Sequence, residues 1–99
     1  MRQFQAFANP SQASRPFAPF VIVLQSHYLP LETVVVAPIV VDATSLGLDI
    51  PVIVEGRPLH IAISELGNIP RAPLRRAVAD LAAHEDDIRR AVDRLFTGF

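Results

Sequence analysis

Only one stretch of this chain has helical periodicity, and it comes last. Apolar residues recur at Val78, Leu81, Ile88, Val92 and Leu95, the spacing of a helix with one buried face. Glu85, Asp86 and Asp87 precede Arg89, Arg90 and Arg94, so acidic groups meet the positive end of the helix dipole and basic groups the negative end. Gly98 follows the last apolar residue of the stripe, at the usual place for a left-handed cap. The predicted helix starts between Asp80 and His84 and runs to Phe96. Pro73 offers an earlier start at a first helical turn, but the clustered acids favour the later one. A single helix placed last leaves strands to supply the rest, which predicts a mainly β domain: a small barrel or packed antiparallel sheets carrying one C-terminal α-helix.

The upstream sequence fits that division. Gln3 to Ala8 sets Phe4, Ala6 and Ala8 against Gln3, Gln5 and Phe7, a half-buried strand pattern. Asn9 to Pro19 is rich in Pro, Ser and Ala and predicts an exposed loop. Phe20–Leu24 and Val34–Val41 are β-branched runs too short to read as helices. Pro38 inside the second run predicts an edge position or a bulge, because it cannot donate a ladder hydrogen bond. Ile50–Val54 and Leu59–Ile63 flank Glu55-Gly56-Arg57-Pro58, a hairpin signature in which Gly56 supplies positive φ. Arg57-Pro58 is atypical of a two-residue turn and predicts a longer loop. Ser64 to Pro70 predicts a short turn punctuated by Gly67-Asn68.

Several function classes are disfavoured by composition. Ninety-nine residues, about half of them apolar, predict one domain over residues 1–99 with a single core. A formal net charge of −1 gives no electrostatic reason for a nucleic-acid or anionic-membrane partner. The absence of cysteine removes disulfides and thiolate metal sites and suits a reducing cytoplasm. Met1-Arg2-Gln3-Phe4 does not read as the start of a signal peptide, and no apolar run approaches the roughly 20 residues of a membrane span.

Catalytic groupings are sparse. His27 follows Ser26 with no third partner evident, and His60 sits in an apolar alternation as a half-exposed strand residue. His84 and Glu85 are adjacent rather than at the i, i+4 spacing of helical metal ligands. The four glycines are scattered, so no phosphate loop forms. The expectation is a protein that is not an enzyme and takes no cofactor or metal. Glu85–Arg89 and Asp86–Arg90 at i, i+4 explain part of the arginine cluster as a solvated face, and Arg71, Arg75 and Arg76 lie outside those two pairs. Glu85 also falls within the apolar stripe, where it either bounds the buried stretch or pairs across an interface. Phe96 and Phe99 pack either as core or, for Phe99 beyond the cap, against a second subunit or a partner. A terminus ending in Leu95, Phe96 and Phe99 predicts a two-fold homodimer with the C-terminal segments near its axis.

Val78-Ala79-Asp80-Leu81, Glu85, Asp87-Ile88, Ala91, Phe96 and Gly98 resemble the carboxyl end of the CcdB family, the toxins of toxin–antitoxin pairs. Gln3-Phe4, Gln25-Ser26, Val36-Ala37-Pro38-Ile39, Ile50-Pro51-Val52 and Ile69-Pro70 fall in the family's order, so the resemblance spans nearly the whole chain. It implies an SH3-like barrel, an extended segment before the helix, and a cytoplasmic homodimer. It also implies binding to the A subunit of DNA gyrase through Thr97, Gly98 and Phe99, trapping of gyrase on cleaved DNA, and neutralisation by a CcdA-like antitoxin with a disordered tail. Gly98 matches the family, Phe99 puts a ring where the family has an aliphatic group, and Thr97 stands where it has Trp. Three rivals remain: an endoribonuclease toxin of the MazF type using Arg71, Arg75, Arg76 and Ser64, a toxin fold that has lost gyrase binding, and a new target reached through the same terminus.

Overall fold

The computed structural model describes residues 1–26, 32–44 and 46–98, so His27 and Phe99 lie outside the described residues. Among the described residues seven strands precede one α-helix: β1 Gln5–Ala8, β2 Phe20–Val23, β3 Thr33–Val40, β4 Asp49–Val54, β5 Arg57–Ala62, β6 Gly67–Pro70, β7 Ala77–Asp80 and α1 Glu85–Thr97. All pairings are antiparallel, in the order β4-β5-β3-β2-β1-β7, with β6 as a second partner of β3. The sheet curls into a half-barrel, and α1 packs on its concave core. The mainly β class with a C-terminal helix is therefore as the sequence predicted. The helix start also agrees: a 3-10 turn over Ala82–His84 leads directly into α1.

β2 and the centre of β3 are continuous β-branched runs because apolar layers cover both faces. One face contributes Ile22, Ile39 and Ile61 to the main core, joined by Ile63, Leu81 and Ile88. The other holds a smaller cluster of Phe7, Val21, Val23, Val34 and Val36, sealed by Leu74. This second layer explains why β1 departs from the predicted alternation. Ala6 and Phe7 are both buried, one in each core, and Ala8 is exposed. Leu74 lies in the segment the sequence left ambiguous, where it plugs the second core. Leu74→Ala is expected to lower the unfolding free energy by about 2 kcal/mol, read from the midpoint of urea unfolding, because few other side chains can fill the space.

Three local expectations need correction. The β4–β5 hairpin turns on two residues only, since Val54 pairs with Arg57 and both Glu55 (φ 51°) and Gly56 (φ 75°) take positive φ. Arg57-Pro58 is already strand, because Pro58 faces Ile53 at a position that exchanges no hydrogen bonds with β4. Ser64 to Pro70 is not a simple turn: Ile63–Glu65 forms a 3-10 turn and Gly67–Pro70 is β6, paired with Thr33–Val36. Pro38 sits in a central strand, neither at an edge nor in a bulge. On the side its nitrogen faces, the pairing with β6 ends at Val36 and the pairing with β5 starts at Ile39. The missing N–H thus falls at the seam between two partners.

Candidate partner-binding site

α1 is built from the charge gradient and the later part of the stripe that the sequence displays, whereas Val78 of that stripe lies in β7 and Leu81 precedes the 3-10 turn. Glu85, Asp86 and Asp87 occupy the first turn and Arg94 the last. Ile88 and Ala91 are buried against the sheet, and Val92 and Leu95 are partly buried beside them. Glu85 faces solvent and receives Arg89 Nε at 2.7 Å, so it bounds the stripe as part of a surface pair. Arg90 donates to Asp87 at 2.6 Å, one residue from the predicted Asp86, because i, i+3 partners are also neighbours on a helix. Both pairs are exposed and contribute little to stability.

The helix ends as a left-handed cap. Gly98 has φ 79°, and its N–H donates to the Arg94 carbonyl at 2.9 Å. A Cβ at Gly98 would meet nothing within 4 Å, so the requirement for glycine is conformational rather than steric. The Thr97 hydroxyl donates to the Asp93 carbonyl at 2.6 Å, which ties the last turn to itself. Both residues are exposed. Phe96, which the sequence allowed as core, is 71% exposed.

Phe96 forms one wall of a surface groove of ≈ 470 Å³. The helix side contributes Ile88, Arg89, Val92 and Asp93, and the sheet side Gln3, Phe4, Leu24, Gln25, Val35 and Leu66. The floor is apolar, with two glutamines among the sheet-side residues held by backbone bonds. Gln3 Nε2 donates to the Leu24 carbonyl at 2.8 Å, and Gln25 Oε1 accepts from the Val35 N–H at 3.1 Å. Phe4 is held in an unusual state, with φ 69°, although it is a bulky aromatic residue. Its N–H donates to the Val23 carbonyl at 2.7 Å and its carbonyl accepts from the Leu81 N–H at 2.8 Å, bonds that fix the strained backbone. The Arg89 guanidinium lies 6.0 Å from the Phe4 ring centroid, within cation–π range.

Gln3-Phe4, Gln25 and the terminal helix are far apart in sequence, and the fold brings all three to this groove. Sequence reasoning singled out Thr97, Gly98 and Phe99, the last outside the described residues, and missed the groove at Phe96. The available signal was that Gln3-Phe4 and Gln25 belong to the fragments carrying the resemblance. The residues named for the ribonuclease alternative are distributed differently. Ser64 lies on the 3-10 turn before β6 and Arg71 follows the end of that strand, where its N–H donates to the Glu32 carbonyl at 2.9 Å. A four-residue strand separates them by roughly 13 Å along the backbone at about 3.3 Å per residue. Arg75 and Arg76 are exposed beyond it. His60 is half-buried in β5, and His84 occupies the N-cap position of α1 without a side-chain capping bond. Among the described residues no group of three or more His, Cys, Asp or Glu could hold a metal ion, and no helix is long and apolar enough to cross a membrane.

Comparison with known proteins places these features in a family. Solved structures share the fold, two toxins among them. One is the Mycobacterium tuberculosis toxin MazF-mt6, 25% identical, with a TM-score of 0.68 over 78% of this chain and 84% of that one. The other, described as an Mtb toxin, is 25% identical, with a TM-score of 0.70 over 78% of this chain and 91% of that one. No curated protein sequence matches the chain at a significant level. The CcdB protein family matches residues 3–98, which includes both sides of the groove and the helix cap, and the chain accordingly belongs to the CcdB family.

Proposed function

We propose that this protein is the toxin of a toxin–antitoxin pair and acts by binding a partner protein through the C-terminal end of α1, not by catalysis. The observation that carries this reading is the continuity of an apolar groove with an exposed helix end. Phe96 stands open at the groove, and Thr97 and Gly98, both exposed, follow it. A large exposed aromatic beside an apolar groove is the composition of an interface core. The groove and Phe96 fit a second copy across a two-fold axis, which would bring both C-terminal segments to the centre of one composite surface. Family membership supports the A subunit of DNA gyrase as the target of that surface and a CcdA-like antitoxin as its neutralising partner.

The dimer is tested by light scattering at micromolar concentration. The wild-type protein is expected at twice its chain mass, and Phe96→Glu is expected to shift it toward monomer by burying a charge in the groove. A wild-type monomer would remove the composite surface from the reading. Toxicity is tested by induced expression without antitoxin. Gly98→Ala is expected to weaken growth inhibition while leaving the fold intact, because a Cβ at φ 79° costs about 1 kcal/mol and re-aims the last residue.

The likeness to MazF-mt6 favours a second reading, an endoribonuclease toxin of the same fold. It requires Ser64 and Arg71, Arg75 or Arg76 to act on RNA despite lying at opposite ends of β6. RNA cleavage that disappears in Arg71→Ala or Arg75→Ala would establish it.

A further inference from the structure

β4 lies at the end of the sheet and, among the described residues, pairs only with β5, so one of its edges has no strand partner there. Val54 and Arg57 close a two-residue turn and therefore exchange hydrogen bonds with each other. Alternation then turns the backbone of Ile50 and Val52 toward β5 and that of Asp49, Pro51 and Ile53 toward the open edge. Pro51 removes the middle of the three N–H donors that this edge would present. The remaining open edges are interrupted in related ways. Pro58 faces the part of β5 beyond its pairing with β3, and Pro70 faces the outer side of β6. β7 carries an irregularity that sets Ala77–Ala79 against only Ala6 and Phe7.

β4 is the edge where an interruption matters most. It has six residues against four in β6 and β7, and Ile50 to Val54 carries no charge. Ile53 is 70% exposed beside the open backbone. We propose that the β4 edge is a latent self-association surface whose fitting partner is β4 of a second copy, and that Pro51 keeps it closed. An antiparallel pair centred on residue 51 would set Asp49 of each strand opposite Ile53 of the other, so no like charges meet. The flanking groups are Asp87, Arg90 and Arg94 of α1, which line the cleft beside Gly47–Pro51, and they place the Arg90–Asp87 pair and the Arg94 cation of each copy near the contact.

Pro51→Val restores the donor and completes an uncharged β-prone segment. Its association is read by light scattering and thioflavin T fluorescence in about 0.5 M NaCl, where the Debye length is a few ångströms and the arginines are screened. Circular dichroism confirms the fold, and Pro51→Thr serves if Pro51→Val does not fold. The expected result is a roughly twofold or larger rise in mass over wild type together with dye binding. Pro51→Val combined with Ile53→Lys is expected to return to the wild-type mass. A folded Pro51→Val or Pro51→Thr protein that keeps the wild-type mass would overturn the proposal. So would a Pro51→Val, Ile53→Lys protein that associates as strongly as Pro51→Val.

Discussion

Ile88→Ala is expected to destabilise the protein by about 3–4 kcal/mol, measured as a lowered midpoint in urea at an unchanged slope. Ile88 is 2% exposed and is the large side chain that α1 buries fully against the sheet. Removing three carbons there loses transfer free energy and leaves a cavity bounded by Leu81 and the isoleucines of the main core, which the rigid sheet cannot collapse to fill. The same change should loosen the helix on its seat and blunt the groove, because Ile88 is also part of the groove lining. Arg89→Ala, one residue on, is expected to cost under about 1 kcal/mol, since its ion pair is exposed. Equal losses at the two positions would mean that α1 is held by its surface charges and not by its apolar stripe.

The second large effect is at the terminus. Phe99→Ala is expected to weaken partner binding by about 2–4 kcal/mol, roughly 30- to 1,000-fold in affinity, as truncation of a central aromatic anchor does. Thr97→Trp should act in the opposite direction. Thr97 is exposed and its hydroxyl bonds only within its own helical turn, so replacing it sacrifices little stability. A Trp there restores the flat aromatic surface that the family presents one residue before Gly98, with a gain of about 1–3 kcal/mol if the docking mode is shared. Titration calorimetry against the purified target measures both changes.

The helix was legible in the sequence because three independent signals coincided: the later part of the stripe at Ile88, Val92 and Leu95, the acid-to-base gradient and Gly98. β2 and β3 were legible for a related reason, since a β-branched run buried on both faces has little other use. Pairing was less accessible. Gly67-Asn68 reads locally as a turn, and only the register with Val35 and Val36 makes it strand. Pro38 illustrates the same limit, because a proline is compatible with a central strand when the neighbour changes at that residue. Of the site, the terminal residues were visible as an apolar ending beyond a cap. The groove was not, since Gln3, Phe4, Leu24 and Gln25 meet α1 only through long-range packing. Nor does sequence periodicity register Phe4's positive φ, which is imposed by bonds to Val23 and Leu81.

The central claim is that this CcdB-family protein acts on gyrase by docking the end of α1, and a gyrase supercoiling assay tests it most directly. Purified wild-type protein and Thr97→Trp are titrated against gyrase, with trapped cleavage complexes scored and an RNA-cleavage reaction run in parallel. The expected result is inhibition with linear DNA accumulating on denaturation, at a lower concentration for Thr97→Trp than for wild type, and intact RNA in both. Gyrase unaffected by either protein at high concentration, with RNA cleaved in an Arg71- or Arg75-dependent manner, would contradict it.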